Sequence, residues 1–233
     1  MMNKTTSGLI KTNTFKGVNC YLIKTKAGYI LIDTGYSNQR INIENTLNNA
    51  GVQPENLVLI LLTHGDFDHS GNCAYLREKY KSKIAMHKDD LGMVEHGDLF
   101  YSRESRNIII RKLVKMMLPL FKINLKKKDQ FTPDIYLEEG DDLSEYGFSA
   151  KVVHLPGHSK GSIGFHTTEG DLFIGDLLEN NVKRGPVKCS LIDNSVEFDA
   201  SIAKLINLSL NTVYPGHGNP FQMEDFIKNT IYP

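Results

Sequence analysis

Apolar positions along this chain alternate between two kinds of pattern. Residues 19–24 (NCYLIK) and 29–33 (YILID) are β-prone runs on either side of Lys26-Ala27-Gly28, which predicts a hairpin. Over 38–50 the spacing changes. Ile43, Leu47 and Ala50 share one side and Gly51 ends the pattern, as in a helix. Residues 58–62 (VLILL) are apolar without alternation, as in a strand covered on both faces. A helix over 71–80 and a strand over 83–87 follow. Further strands are predicted at 135–137, 149–154, 162–167 and 171–175, with a turn at Glu169-Gly170, then a helix at about 196–209, a strand at 212–214 and a short helix after Pro220. This order reads as one α/β domain over 1–233, with helices on both outer faces. The segment 88–130 stands apart as a helical insert. It is patterned around Ile108–Leu118 and broken by Pro119, and from Arg103 to Lys128 it holds nine Lys/Arg against one acidic residue, Glu104. A weak echo links GYILIDTG from Gly28 and GDLFIGDL from Gly170: a turn, an apolar strand, then an aspartate.

Composition narrows the function classes. With 233 residues, 40% hydrophobic and 23% charged, the chain can bury a core and is not a disordered polymer. Lys+Arg and Asp+Glu are 27 each, so the formal net charge is zero. A whole-surface grip on nucleic acid or anionic lipid is excluded, and nucleic acid could be met only through the basic insert. No apolar run reaches the ~18 residues of a membrane span, and MMNKTTSGLIKTNTF lacks the apolar centre of a secretory signal. Cys20, Cys73 and Cys189 are too few and too scattered for a disulfide framework or a Cys-x-x-Cys zinc site. Buried free thiols in a cytoplasmic protein are expected.

The chemistry concentrates in Leu62-Thr63-His64-Gly65-Asp66-Phe67-Asp68-His69. A buried strand ends there, and four imidazole or carboxylate donors follow within six residues. These are donors that Zn, Mn and Fe accept. The loop is short enough to turn His64 and Asp66 toward one ion and Asp68 and His69 toward another. The plain alternative is a polar turn whose aspartates cap the next helix. Three later fragments shift the balance: His158 in Leu155-Pro156-Gly157-His158-Ser159, Asp176 in Ile174-Gly175-Asp176, and His217 in Tyr214-Pro215-Gly216-His217-Gly218. Each delivers one ligand-type residue from the end of an apolar strand, beside a glycine that permits a tight turn.

With Asp33 in Leu31-Ile32-Asp33-Thr34-Gly35, these motifs in this order resemble the metallo-β-lactamase superfamily over nearly the whole chain. The resemblance implies a four-layer αβ/βα sandwich and a binuclear metal centre. His64, Asp66 and His158 would hold one ion, and Asp68, His69 and His217 a second. Asp176 would bridge them, and Asp33 would orient the loop. It also implies a hydrolase in which a metal-bridging hydroxide attacks a small ester, lactone or thioester, while Asp68 moves a proton. Position 66 departs from the commonest pattern, His-x-His-x-Asp-His, by carrying aspartate. The shorter, harder oxygen donor weakens the first site and opens it to Mn or Fe, with Zn still the first expectation for the two divalent ions.

The resemblance leaves other activities to weigh. A phosphodiesterase or nuclease fits the His-x-Asp-x-Asp-His variant and the basic insert. A di-iron redox module or a non-catalytic metal-binding protein is the reading from another class. The 16 residues after His217 are too few for the helical domain of glyoxalase II-like thioesterases. Lys160 is a candidate contact for an anionic substrate. Structural roles are expected for His87, His96, His154 and His166, and capping or turn roles for Ser70, Ser159 and Ser162. Replacing Asp66 by histidine (Asp66→His) should move metal preference toward zinc in a metal-content assay, and an unchanged preference would refute the role given to its oxygen.

Overall fold

The computed structural model describes residues 9–13, 17–101, 103 and 125–231. The predicted helix around Ile108–Leu118 and most of the basic run lie outside them. Six strands form the first sheet in chain order: β1 (Leu9–Asn13), β2 (Asn19–Lys24), β3 (Tyr29–Ile32), β4 (Leu57–Leu61), β5 (Lys83–Met86) and β6 (Ile135–Tyr136). β1, β2 and β3 are antiparallel neighbours, and β3 to β6 run parallel. The second sheet comprises β7 (Ala150–His154), β8 (Ile163–Thr167), β9 (Leu172–Gly175), β12 (Thr212–Pro215) and β13 (Phe221–Gln222), in the order β13-β12-β9-β8-β7. A two-stranded ribbon joins β10 (Leu178–Asn181) to β11 (Gly185–Lys188). The helices are α1 (Arg40–Asn49), α2 (Phe67–Ser70), α3 (Cys73–Tyr80), α4 (Leu91–His96), α5 (Ser195–Ile206) and α6 (Met223–Ile231).

The apolar runs now have a cause. In β4, Leu57 and Ile60 face a core shared with Ile43 and Leu47 of α1 and Leu76 and Tyr80 of α3, while Leu59 and Leu61 face the second sheet. Phe165, Phe173 and Tyr214 meet them from that sheet. On its outer face Leu172, Ile174 and Val213 pack against Phe198 and Leu205 of α5 and Phe226 of α6. Helix, sheet, sheet and helix thus make four layers with three apolar seams, the αβ/βα sandwich that the resemblance implied. Both sheets are covered twice, so strands without alternation are stable in them.

The structure differs from the sequence reading in several places. The helix read as 71–80 is one piece starting two residues later, at Cys73, and a separate turn of helix, Phe67–Ser70, precedes it, because at Asn72 the chain turns to serve the end of β3. Its backbone N–H donates to Thr34 Oγ1, and its side-chain amide donates to the carbonyls of Thr34 and Tyr36 at 2.7 and 2.9 Å. β1, β13 and the β10–β11 ribbon were not foreseen. The ribbon, LENN and GPVK, has no apolar alternation to read. Among the described residues, no helix is long and apolar enough to cross a membrane.

Phe173 lies at the centre of the seam between the sheets, with its ring 5.2 Å from Tyr21, 4.8 Å from Tyr214 and 6.1 Å from Phe148. Phe173→Ala should cost about 3–5 kcal/mol in urea unfolding, the usual penalty for an aromatic-sized void.

Candidate metal centre

Strand direction brings the site together. β3 and β4 are parallel, so Asp33 and the loop from His64 to His69 emerge at one edge of the first sheet. In the second sheet β7 and β9 are both antiparallel to β8, and β12 is parallel to β9. Their C-terminal ends therefore share an edge, which delivers His158, Asp176 and His217 together. Bonds across the sheets hold the two edges in register. Asn19 donates its backbone N–H to Gly216 O at 2.7 Å and its side-chain amide to Pro215 O at 2.8 Å, while the Tyr21 hydroxyl donates to Pro215 O at 2.7 Å.

All seven side chains expected as metal ligands converge there. Three sets have ligand atoms mutually within 4.8 Å: His64, Asp66 and His158; His64, His69 and Asp176; Asp68, His69 and His217. Asp66 Oδ2 is 3.6 Å from His64 Nε2 and 3.1 Å from His158 Nε2. Asp176 reaches both groups, with Oδ1 3.2 Å from His69 Nε2 and Oδ2 3.1 Å from His217 Nε2 and 4.0 Å from His64 Nε2. Asp68 Oδ2 is 3.7 Å from His217 Nε2 and 3.9 Å from His69 Nε2. Asp66 occupies the N-terminal position of α2, but its side chain makes no capping hydrogen bond. The capping alternative therefore fails at that residue.

Asp33 decides which nitrogen each imidazole presents. Its Oδ1 accepts the Thr63 N–H at 2.9 Å, and its Oδ2 accepts the Thr63 hydroxyl at 2.8 Å and His69 Nδ1–H at 2.9 Å. Thr63 Oγ1 has one proton, already given to Asp33, so its 2.9 Å contact with His64 Nδ1 requires His64 to be the donor. His158 Nδ1–H donates to Leu191 O at 2.7 Å. The Nδ1 atoms of His64, His69 and His158 are thus committed, and their Nε2 atoms are left for the cluster.

The site passes a test for a cation. His64 Nε2, His69 Nε2, Asp66 Oδ1 and Asp176 Oδ1 are buried without a hydrogen-bond partner. Imidazole lone pairs facing carboxylate oxygens repel, and burial without a partner is costly, unless positive charge lies between them. In the metal-free protein, protons would supply it. Burial disfavours charge on His158, but hydrogen bonds to Asp66 and Cys189 push it up to about 10. His69 is likewise raised against its burial by Asp176, Asp33 and Asp68. Asp176, which burial alone would raise, is held well below the usual carboxylate range by His69 and His217. Bare backbone at position 216 completes the fit, because a Cβ there would lie 2.1 Å from Asp176 Oδ1.

A cavity of about 190 Å³ opens onto the cluster, lined by His158, Asp176, Glu179, Cys189, Leu191 and His217 among others. A larger groove of about 620 Å³ lies along β7 and β8, beside Lys151, His166 and Asn211. It holds none of the seven clustered residues, so the smaller cavity carries the chemistry. Lys160 does not line that cavity, and its backbone carbonyl accepts from His154 Nε2 at 2.9 Å. Ser70 makes a turn contact, to Asp66 O at 2.9 Å; Ser159 donates its N–H to Ser162 Oγ at 3.1 Å within its turn, but its hydroxyl reaches across to Asp90 Oδ2 at 2.6 Å. His87 and His154 stack at 4.3 Å, and His96 packs on Tyr101. Cys20, Cys73 and Cys189 are free and buried.

Two residues at the site escaped the sequence reading. Asp90, fully buried, accepts the backbone N–H groups of Gly65 and Gly161, each at 2.9 Å, and so ties the His64–His69 loop to the loop after β7. Arg103 donates from Nη2 to Asp66 Oδ2 at 2.9 Å, inside the cluster. Burial would raise the Asp66 carboxyl, but Arg103, His158 and His64 hold it well below the usual range.

Comparison with known proteins agrees with this geometry. The family model of the metallo-beta-lactamase superfamily matches residues 13–217. The chain belongs to that superfamily and is a metallo-hydrolase. It is 26% identical over 218 residues to the acyl-coenzyme A thioesterase MBLAC2 of Bos taurus, covering 88% of this chain and 75% of that one. Hydroxyacylglutathione hydrolase GloC of Haemophilus influenzae is 31% identical over 125 residues, 53% of this chain and 50% of the relative. Among solved structures, TTHA1623 in a di-iron-bound form superposes with a TM-score of 0.69 at 28% identity, covering 96% of this chain and 99% of that one.

Two outcomes test the cluster. Asp33→Ala frees His69 and Thr63 and should weaken metal binding about 10–100-fold, read by chelator competition. Below pH 10 a bound ion must displace the His158 proton, so affinity should rise with pH toward that value, and calorimetry in buffers of different ionisation enthalpy should show proton release.

Proposed function

We propose that this chain is a metal-dependent hydrolase of thioesters with a binuclear centre. The observation that carries the reading is the set of four partnerless, buried ligand-type atoms in one cluster, beside a cavity lined by His158, Asp176 and His217 of the same cluster. His64, Asp66 and His158 would hold one divalent ion, Asp68, His69 and His217 the other, and Asp176 would reach both. Zinc is the first expectation, and the Asp66 oxygen also suits manganese or iron. Such ions, when bound, supply Lewis acidity and lower the pKa of a water from 15.7 toward about 7. The thioester class is supported by the names of MBLAC2 and GloC.

The chain's own groups divide the remaining work. Asp66 and Asp176 are held ionised by their cationic neighbours. Asp68 differs: burial raises its carboxyl, which His69 only partly offsets while Asp176 and Asp66 raise it further. Asp68 is therefore the carboxylate set to take a proton from water and return it to the leaving sulfur. The Tyr36 phenol, raised by burial and by Asp68, stays protonated beside it. Leu191, more than a third exposed, lines the cavity beside His158 and gives it an apolar edge suited to an acyl group.

Purified protein loaded with zinc, manganese or iron should hydrolyse a short acyl-coenzyme A in a thiol-release assay and lose activity on chelation. Asp68→Asn should lower kcat about 10²–10³-fold with little change in KM. Turnover of a phosphodiester but no thioester would replace this reading with the phosphodiesterase one.

A further inference from the structure

Arg103 is the first residue of the basic run, where a solvated face was expected, yet it is 4% exposed. Its guanidinium makes three hydrogen bonds and one close contact. Nη1 donates to Leu99 O at 3.1 Å and Nε to His158 O at 3.2 Å, while Nη2 lies 2.9 Å from Asp66 Oδ2 and 3.1 Å from His158 Nε2. Nη2 therefore sits against two of the three ligand atoms of the His64–Asp66–His158 group. A guanidinium keeps its charge at any working pH, and its planar fork suits a carboxylate.

The other face is built differently. Among the described residues, Asp68 and Asp176 form ion pairs with the imidazoles of His64, His69 and His217, and no Lys or Arg pairs with either. The two halves of the centre thus carry unequal positive charge before any ion arrives.

The geometry points to Arg103 as a resident competitor for the first metal position. On the metal-centre reading above, on which this rests, the Asp68–His69–His217 face with Asp176 fills first. The His64–Asp66–His158 face binds its ion weakly, because the ion must displace the guanidinium from Asp66 and His158 Nε2 or bear its repulsion at close range. Aspartate at position 66 and arginine at position 103 are then two parts of one device. The carboxylate that replaces the commoner histidine is the group the guanidinium holds.

The test is metal stoichiometry and affinity on the full chain, stripped by chelation and titrated with Mn(II) or Zn(II) by calorimetry, with elemental analysis after dialysis. Wild type should hold one ion tightly and a second at least tenfold more weakly. Arg103→Gln, which keeps a hydrogen-bond donor for Asp66, should tighten the second ion at least tenfold and leave the first unchanged. Electron paramagnetic resonance of the wild type is a check that needs no variant. One equivalent of Mn(II) should give an isolated six-line signal, with exchange coupling only in excess metal. Two equally tight ions in wild type, coupling at substoichiometric metal, or an unmoved second affinity in Arg103→Gln would overturn the role of Arg103 while leaving the metal centre standing. No ion on either protein would overturn both.

Discussion

One carboxylate, Asp33, governs what the cluster can do. It takes the Thr63 N–H, the Thr63 hydroxyl and the His69 imidazole, and through the single proton of that hydroxyl it also sets His64. Two imidazoles are thereby turned with Nε2 inward before any ligand arrives, which is preorganisation by hydrogen bonding. Asp33 adopts a left-handed backbone, φ 57°, at the end of β3, and this turn lets the strand's last side chain reach back across the head of β4. Gly175, at the matching place of the internal echo, has φ 58° at the end of β9 and puts Asp176 into the cluster. The echo is thus geometric, with one strand-end turn used twice, once to orient the cluster's imidazoles and once to supply a carboxylate to the cluster.

The sandwich and the site depend on each other. The three apolar seams hold five strand ends level, those of β3, β4, β7, β9 and β12, and the bonds of Asn19 and Tyr21 to the carbonyl of Pro215 fix the rim where the sheets meet. Asp90 joins the loops of the two sheets a second time through Gly65 and Gly161. The clustered side chains are thus carried on short loops between rigid elements, where positional error is small.

Much of this was legible in the sequence, for physical reasons. Continuous apolar runs such as Val58–Leu62 mean burial on both faces, which fixes the layer arrangement once helices alternate with them. Ligand-type residues directly after such runs mark the edge where they meet. What could not be read depends on through-space partners. Arg103 looks like the start of a solvated basic run, and nothing local marks it as buried. Asp90 is one acid beside another, Asp89, and its importance lies in two glycine N–H groups far away in sequence. The single turn α2 ahead of Asn72 and the β10–β11 ribbon were missed because neither leaves a hydrophobic period.

The first of the clustered residues, His64, and the last, His217, belong to opposite sheets, so the cluster straddles the seam between the two halves of the molecule. Any cation held there acts as a rivet between them. The protein's cohesion and its chemistry then share a fastening, and an enzyme starved of metal would lose catalysis and mechanical integrity together.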